Sequence, residues 1–423
     1  MFARTRSLAT ALAVVLLLYL GISTAVAAAP PAKPYVWPEL TVSAGNKDEI
    51  LPQIAYNRKH NEYLVVWHTT GTAAARTVRG ARISAAGKLL AEFQIFGHPT
   101  KDGFQPAVAY DPPDDRYLVV FIVDSAGNGS NMDLFGRFIP WQGPSAQDAS
   151  FPIITWPTHQ WQPQVAYGRA VEQFLVVWSN EDQSGAIPMY ISGKRIQAAD
   201  GSFPGGAGSD ATISSTSQNR VNPAVAYNLS RNEYLVVYDN GLDIFGTRYT
   251  GSLDHDFGGE FPIAGWPDAE RQPDIAACAA ADQYLVTWQS LQGGTNEAVY
   301  ARFVSGDGAP GSVHPIDDTT GAEIEARIAC DDEGTHYLVA WQTEYTNSKF
   351  GIWARYIWPD KQMSAAFLVR HPSNTAERTH PVLAGGRATF LAAWEHEREG
   401  GGFLDIYGRL LSPYAAFTPM VHG

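Results

Sequence analysis

The side chains best suited to chemistry recur in one slot. Immediately before the proline of a repeated P-x-V-A-Y-like run (alanine in the sixth copy) stand Leu51, Gln105, Gln162, Asn222, Gln272, Glu325 and His380. Four of these seven are amides, which both donate and accept hydrogen bonds and so suit a ligand rich in hydroxyl groups. Trp156, Trp161 and Trp266 lie on neighbouring loop positions. Flat aromatic faces beside amides are the chemistry of sugar stacking combined with hydroxyl recognition. Trp156-Pro157 and Trp266-Pro267 occupy matching slots, and His98-Pro99 and His371-Pro372 are similar, so turn formation is the plainer alternative. Glu181, Asp182, Asp239, Glu344, Glu395 and Glu397 follow Y-L-V-V-W-like runs. Two separated carboxylates can hydrolyse a glycosidic bond, but sequence alone does not pair any two of these, and most read as solvated loop charges.

The elements that must carry these residues are repeats. P-x-V-A-Y, Y-L-V-V-W and G-x-R recur together seven times, opening at Pro52, Pro106, Pro163, Pro223, Pro273, Ala326 and Pro381, with steps of 54, 57, 60, 50, 53 and 55 residues. A period this regular signals radial or linear repetition. Each unit reads as four short strands: a PAVAY-like run, a YLVVW-like run, a run carrying Asp-Ile-Phe-Gly or a variant, and a short apolar run such as Phe151–Ile154. Turn residues such as Asp111-Pro-Pro-Asp-Asp115 separate them. Sustained helical periodicity is absent from the mature chain. The fold expected is all-β: a seven-bladed β-propeller with four-stranded blades. Leu40–Ser43 is an orphan strand placed to complete the last blade and close the ring; Phe417–Val421 is the rival for that place.

Whatever recurs in every unit is discounted as structural. Arg82, Arg137, Arg195, Arg248, Arg302, Arg355 and Arg409 are assigned to one third-strand slot and expected to bridge neighbouring sheets, although clustered arginines also serve carboxylate-binding propeller enzymes such as sialidases. Trp67, Phe121, Trp178, Tyr238, Trp288, Trp341 and Trp394 are expected to pack between blades. The aspartate of D-I-F-G reads as a turn or capping residue. The Asp-box, G-x-S-x-G, H-E-x-x-H and EF-hand-like patterns are all missing. No cofactor is expected; Asp254-His-Asp256 before Phe257-Gly-Gly259 is a weak calcium turn and the only hint of a metal.

Residues 1–29 carry Arg4 and Arg6, an apolar run from Leu8 to Leu20 and Ala25-Val-Ala27, the pattern of a secretory signal cleaved after Ala27 or Ala29. The apolar core is shorter than a membrane span, which favours cleavage over a retained anchor. Residues 30–423 then form one propeller domain. With the two leader arginines gone, 28 Lys and Arg face 43 Asp and Glu, a net charge of −15. That balance argues against nucleic acid, whose phosphates need clustered bases. Cys278 and Cys330, at the ends of consecutive first strands, favour a disulfide in an exported chain, with two buried thiols as the alternative.

The units resemble the repeats of large exported bacterial proteins, in which Y-L-V-V-W is followed by D-I-[FY]-G-x-R. The resemblance spans residues 40–411 and departs from the pattern at Ala326 and Gly385-Gly386. It implies a propeller used for extracellular recognition or scaffolding, and brings no catalytic residues with it. The function expected is therefore a secreted or envelope-exterior binding protein, monomeric, contacting an extracellular polymer such as a glycan through Trp156, Trp161, Trp266, Gln105, Gln162, Asn222 and Gln272. Its rivals are an exported carbohydrate-active hydrolase or lyase using the same face, and a purely structural envelope module.

Overall fold

The computed structural model describes residues 34–413 except 71–74, 146, 157, 183–184, 186–187, 207, 215, 254–257, 292–296, 318–320, 346–348, 372–378 and 399–401. The leader, the calcium-turn candidate Asp254–Phe257 and the rival closing segment Phe417–Val421 lie outside these residues.

Seven antiparallel sheets, numbered here as blades 1 to 7 in chain order, stand around a central channel; blades 1 to 6 each have four strands in sequential order from the axis outward, and blade 7 has three, completed by N-terminal strands. Blade 1 runs Glu49–Asn57, Glu62–Thr69, Val78–Ser84 and Leu89–Phe96. The innermost strands of successive blades touch, and that of blade 7 (Val382–Gly385) touches that of blade 1, so the ring is closed. The closing strand is N-terminal, as expected. Leu40–Ser43 pairs antiparallel with Leu404–Ser412, with Leu40 opposite Gly408 and Thr41 opposite Tyr407. Tyr35–Val36 extends the same edge by pairing with Ser412 and Leu411, a contact that no repeat announces.

Second strands are buried along their length, because each lies inside its own sheet and between two neighbouring sheets. All seven second-strand aromatics, Trp67 through Trp394, are 0% exposed. Their rings fill the wedge between blades, where large aromatics bury most area.

The recurrent arginines do not share one slot. Arg137, Arg302, Arg355 and Arg409 stand opposite Val119, Val286, Val339 and Ala392 of the second strand. Arg82, Arg195 and Arg248 stand one residue along, opposite Leu64, Leu175 and Leu235, and so point to the other face of their sheets. Members of the two sets bridge in different directions, while Arg195 bonds Gln173 of its own blade. Arg137, Arg302 and Arg409 donate to the outer-strand carbonyls of Ile95, Ile263 and Val369 in the preceding blade. In blade 3 Lys194 takes that role, donating to Ile153 O at 3.0 Å. Arg82 and Arg248 instead pair with Glu62 and Glu233 of their own blade and reach the turn carbonyls of Gln142 and Asp307 in the next.

Cys278 and Cys330 end the innermost strands of blades 5 and 6. Their Cα atoms are 5.6 Å apart and their sulfurs are bonded. Cys278 opposes Gln283 while Cys330 opposes Tyr337, a one-residue stagger that the offset between adjacent blades absorbs. Beside them, Gly385 has no room for a side chain: a Cβ there would collide with the Cys330 carbonyl, which explains why the seventh unit leaves the repeat pattern.

Candidate functional site

In blades 1 to 6 the residue before the repeat proline, or before Ala326 in the sixth, lies inside the innermost strand, not in the loop before it; His380 of blade 7 precedes its strand. In those six blades the strand begins one to three residues earlier and carries a β-bulge. Ile50 opposes His68 and Gln53 opposes Val66, so Leu51 and Pro52 together face Trp67. The same two-against-one arrangement sets Gln162-Pro163 against Trp178 and Gln272-Pro273 against Trp288. Proline suits the second bulge position because it has no N–H to leave unpaired. The first position turns left-handed: φ is 52° at Leu51, 49° at Gln105, 53° at Gln162, 52° at Asn222, 52° at Gln272, 54° at Glu325 and 38° at His380. Outside glycine such backbone costs on the order of 1–3 kcal/mol per residue and persists only where its surroundings over-determine it.

The surroundings are a ring of hydrogen bonds from blade to blade. Gln162 N donates to Gln105 Oε1 at 3.0 Å and Asn222 N to Gln162 Oε1 at 3.0 Å. Gln272 N donates to Asp239 Oδ2 at 2.9 Å and Glu325 N to Gln289 Oε1 at 2.9 Å. Thr379 N donates to Gln342 Oε1 at 2.7 Å and Leu51 N to Glu395 Oε2 at 2.8 Å. An unpaired N–H at such a bulge would cost about 1–3 kcal/mol. The acceptors come from the bulge residue itself or from the position just after the packing aromatic: Asp239, Gln289, Gln342 and Glu395. Asp239 and Glu395 are therefore not solvated loop charges, being 1% and 3% exposed.

Together the six bulges and His380 of blade 7 line a cup of about 360 Å³ at the mouth of the channel. All seven pre-proline residues line it, as do Gln53, Gln164, Asp274 and Arg327 from two residues further down their strands. Of the expected site residues, Gln105, Gln162, Asn222 and Gln272 meet here; the tryptophans are not on the lining. Trp161 is half-buried, donating Nε1 to Glu181 Oε2 at 2.6 Å and packing against Phe104. Trp266 packs edge-on against Tyr300, 4.9 Å between centroids, and against Trp288, so it is part of a core cluster. Trp156 alone is open, 40% exposed, in the segment leading from blade 2 into blade 3.

The cup is electrically uneven. Asp239 is pushed above the ordinary carboxylate range by burial, against the hydrogen bonds of Asn222, Gln272 and Gly241. Burial likewise raises Asp274, against the charge of Arg327. Its Oδ1 and Oδ2 accept the N–H groups of Ile275 and Ile328, each at 2.9 Å. His380 sits between two blades, Nδ1 on Glu395 and Nε2 3.3 Å from Glu325 Oε1. Burial pulls its pKa down, but the Glu395 hydrogen bond with the charges of Glu395 and Glu325 holds it above the usual imidazole value. Glu325 Oε2 also accepts from Gln342 Nε2 at 2.5 Å. By contrast the side chains of Gln53 and Gln164 have no hydrogen-bond partner among the described residues.

No protein-family model matches the chain, and no curated protein does. Among solved structures, the Dos1 propeller superposes with a TM-score of 0.50 at 9% identity, covering 91% of this chain and 96% of that one. The propeller domain of Myceliophteria thermophila Cps50 (Swd1) gives 0.49 at 12% identity, with 88% and 99% coverage. The catalytic domain of a Coprinopsis cinerea GH62 α-L-arabinofuranosidase gives 0.36 at 11%, with 60% and 92% coverage. At 9% identity the likeness to the Dos1 propeller is one of fold alone, that of a β-propeller.

Proposed function

We propose that this chain is an exported, non-catalytic β-propeller that binds a polar extracellular ligand, a glycan or envelope polymer, at the channel-mouth cup. One observation carries the reading: the acids around the cup already hold strands together, while amides remain for a ligand. Asp239, Asp274 and Glu395 each accept backbone N–H groups of the bulge ring or its neighbours. Gln53 and Gln164 keep unused donors and acceptors on the lining. A general acid and base must be able to exchange protons with a substrate, and carboxylates tied to backbone amides are poorly placed to do so. Trp156 offers an exposed face on which a second sugar can stack. Export rests on the leader pattern of residues 1–29, and the Cys278–Cys330 bond suits an oxidising compartment.

The test is a binding screen of the purified mature chain, taken as a monomer, against soluble glycans and cell-wall polymers. Binding that disappears in a folded Gln53→Ala/Gln164→Ala variant supports the cup; binding untouched by it moves the site elsewhere. A carbohydrate-active hydrolase is the second reading, and the flanking of His380 by Glu325 and Glu395 at the mouth favours it. Turnover of any bound polymer, abolished by Glu395→Gln, would establish that reading instead.

A further inference from the structure

Arg327 stands apart on the cup lining. It lies two residues beyond Glu325 on the innermost strand of blade 6 and is half-buried. Its charge acts on Asp274 and His380, yet among the described residues its guanidinium has no hydrogen bond or ion pair. The third-strand arginines that bridge the blades are by contrast engaged, Arg302 for example with the Gly311 and Ile263 carbonyls. The acids nearest Arg327 are turned into the wall: Asp274 accepts two backbone N–H groups, and Glu325 is held by Gln342 and His380. The Arg327 guanidinium thus faces a half-open polar cup with no hydrogen bond or ion pair of its own among the described residues, its charge felt by the buried Asp274.

We propose that the cup takes an acidic sugar: a uronate residue whose carboxylate docks on the Arg327 guanidinium while its hydroxyls engage Gln53 and Gln164. This deepens, and rests on, the glycan-binding reading above. A guanidinium presents parallel N–H groups that match a carboxylate bidentately, and such pairs are stronger than neutral hydrogen bonds. Partial enclosure at the bottom of the cup strengthens the attraction by lowering the local dielectric. The cup volume of about 360 Å³ is at the low end for ligand pockets, which run from about 300 to 1,000 Å³. It therefore suits one sugar ring, the end of a chain, with the next residue emerging onto the rim.

The experiment is calorimetric titration of the intact mature protein with galacturonate oligomers, their methyl esters and the neutral galactose oligomers of equal length. The expected result is at least tenfold tighter binding of the acid than of either neutral form. That preference should weaken with salt and vanish in Arg327→Gln, provided the variant melts like the parent. Should Arg327→Gln fail to fold, the methyl-ester comparison on the unaltered protein decides alone. Equal binding of acid, ester and neutral oligomer, lost in Gln53→Ala/Gln164→Ala, overturns the uronate proposal and leaves the glycan reading intact. No sugar binding, with Arg327-dependent binding of a peptide C-terminal carboxylate, overturns both.

Discussion

Trp178→Ala tests the packing from which the site is hung. Trp178 is 0% exposed, wedged between blades 2 and 3, and its Nε1 donates to the buried Asn180 Oδ1 at 2.9 Å. Truncating a buried large aromatic costs about 3–5 kcal/mol in transfer and cavity terms. Losing the indole donor removes a hydrogen bond worth about 1 kcal/mol, so the upper half of that range is expected. Gln162-Pro163 bulges directly over this ring, and the damage should therefore extend to the cup. Trp156→Ala is the internal control: with 40% of its surface exposed, it should change stability by no more than about 0.5 kcal/mol. Urea unfolding followed by far-UV circular dichroism reads both, and an unchanged urea slope guards against a shift in mechanism. A Trp178→Ala unfolding free energy within about 1 kcal/mol of the parent, or a Trp156→Ala loss as large as that expected for Trp178→Ala, would refute the reasoning.

The remaining expectations concern the ring and its charges. His380, held above its ordinary pKa by Glu395 and Glu325, contributes stability that is complete below about pH 6.5 and lost as pH rises through its folded value. A urea series across pH should show that decline, flattened in His380→Gln. Glu270 is raised to about 7 by burial, with the Trp266 N–H hydrogen bond opposing, so folding takes up a proton and stability falls as pH rises from 4.5 to 7. Glu270→Gln should remove this slope and leave the variant more stable than the parent at pH 8. Thiol titration of the unfolded, non-reduced protein should find no free thiol. Reduction should then lower stability by about 4 kcal/mol for a loop of 52 residues; two free thiols beforehand would reject the bond. Deleting residues 34–43 exposes the edge of the Leu404–Ser412 strand, and light scattering should detect self-association that the parent lacks.

Much of this architecture is legible in the sequence because a propeller repeats its physics. The second-strand aromatics mark seven inter-blade wedges, and Leu40–Ser43 is recognisable as a strand without a sheet. The bulge is less legible, since Pro52 and its equivalents look like strand starts when they are second bulge residues. The two arginine slots were visible in principle: Gly136-Arg137 and Gly408-Arg409 lack the residue that separates Gly80 from Arg82. The position of the amide ring is legible but its principal work is not, because Gln105 and Gln162 accept hydrogen bonds from the next blade. A useful clue lies just after four of the seven packing aromatics, where Asp239, Gln289, Gln342 and Glu395 supply acceptors at the ring. Arg327 carried no signal at all, standing where other units place Gln53, Ala107 or Val382.

The most direct test of the central claim is one calorimetric titration with the best ligand from the screen, followed by prolonged incubation of the same sample and assay for new chain ends. The account predicts one site per chain, lost in Gln53→Ala/Gln164→Ala, and a ligand recovered intact. Binding that ignores the cup variant, or chain ends that accumulate with time, would contradict it.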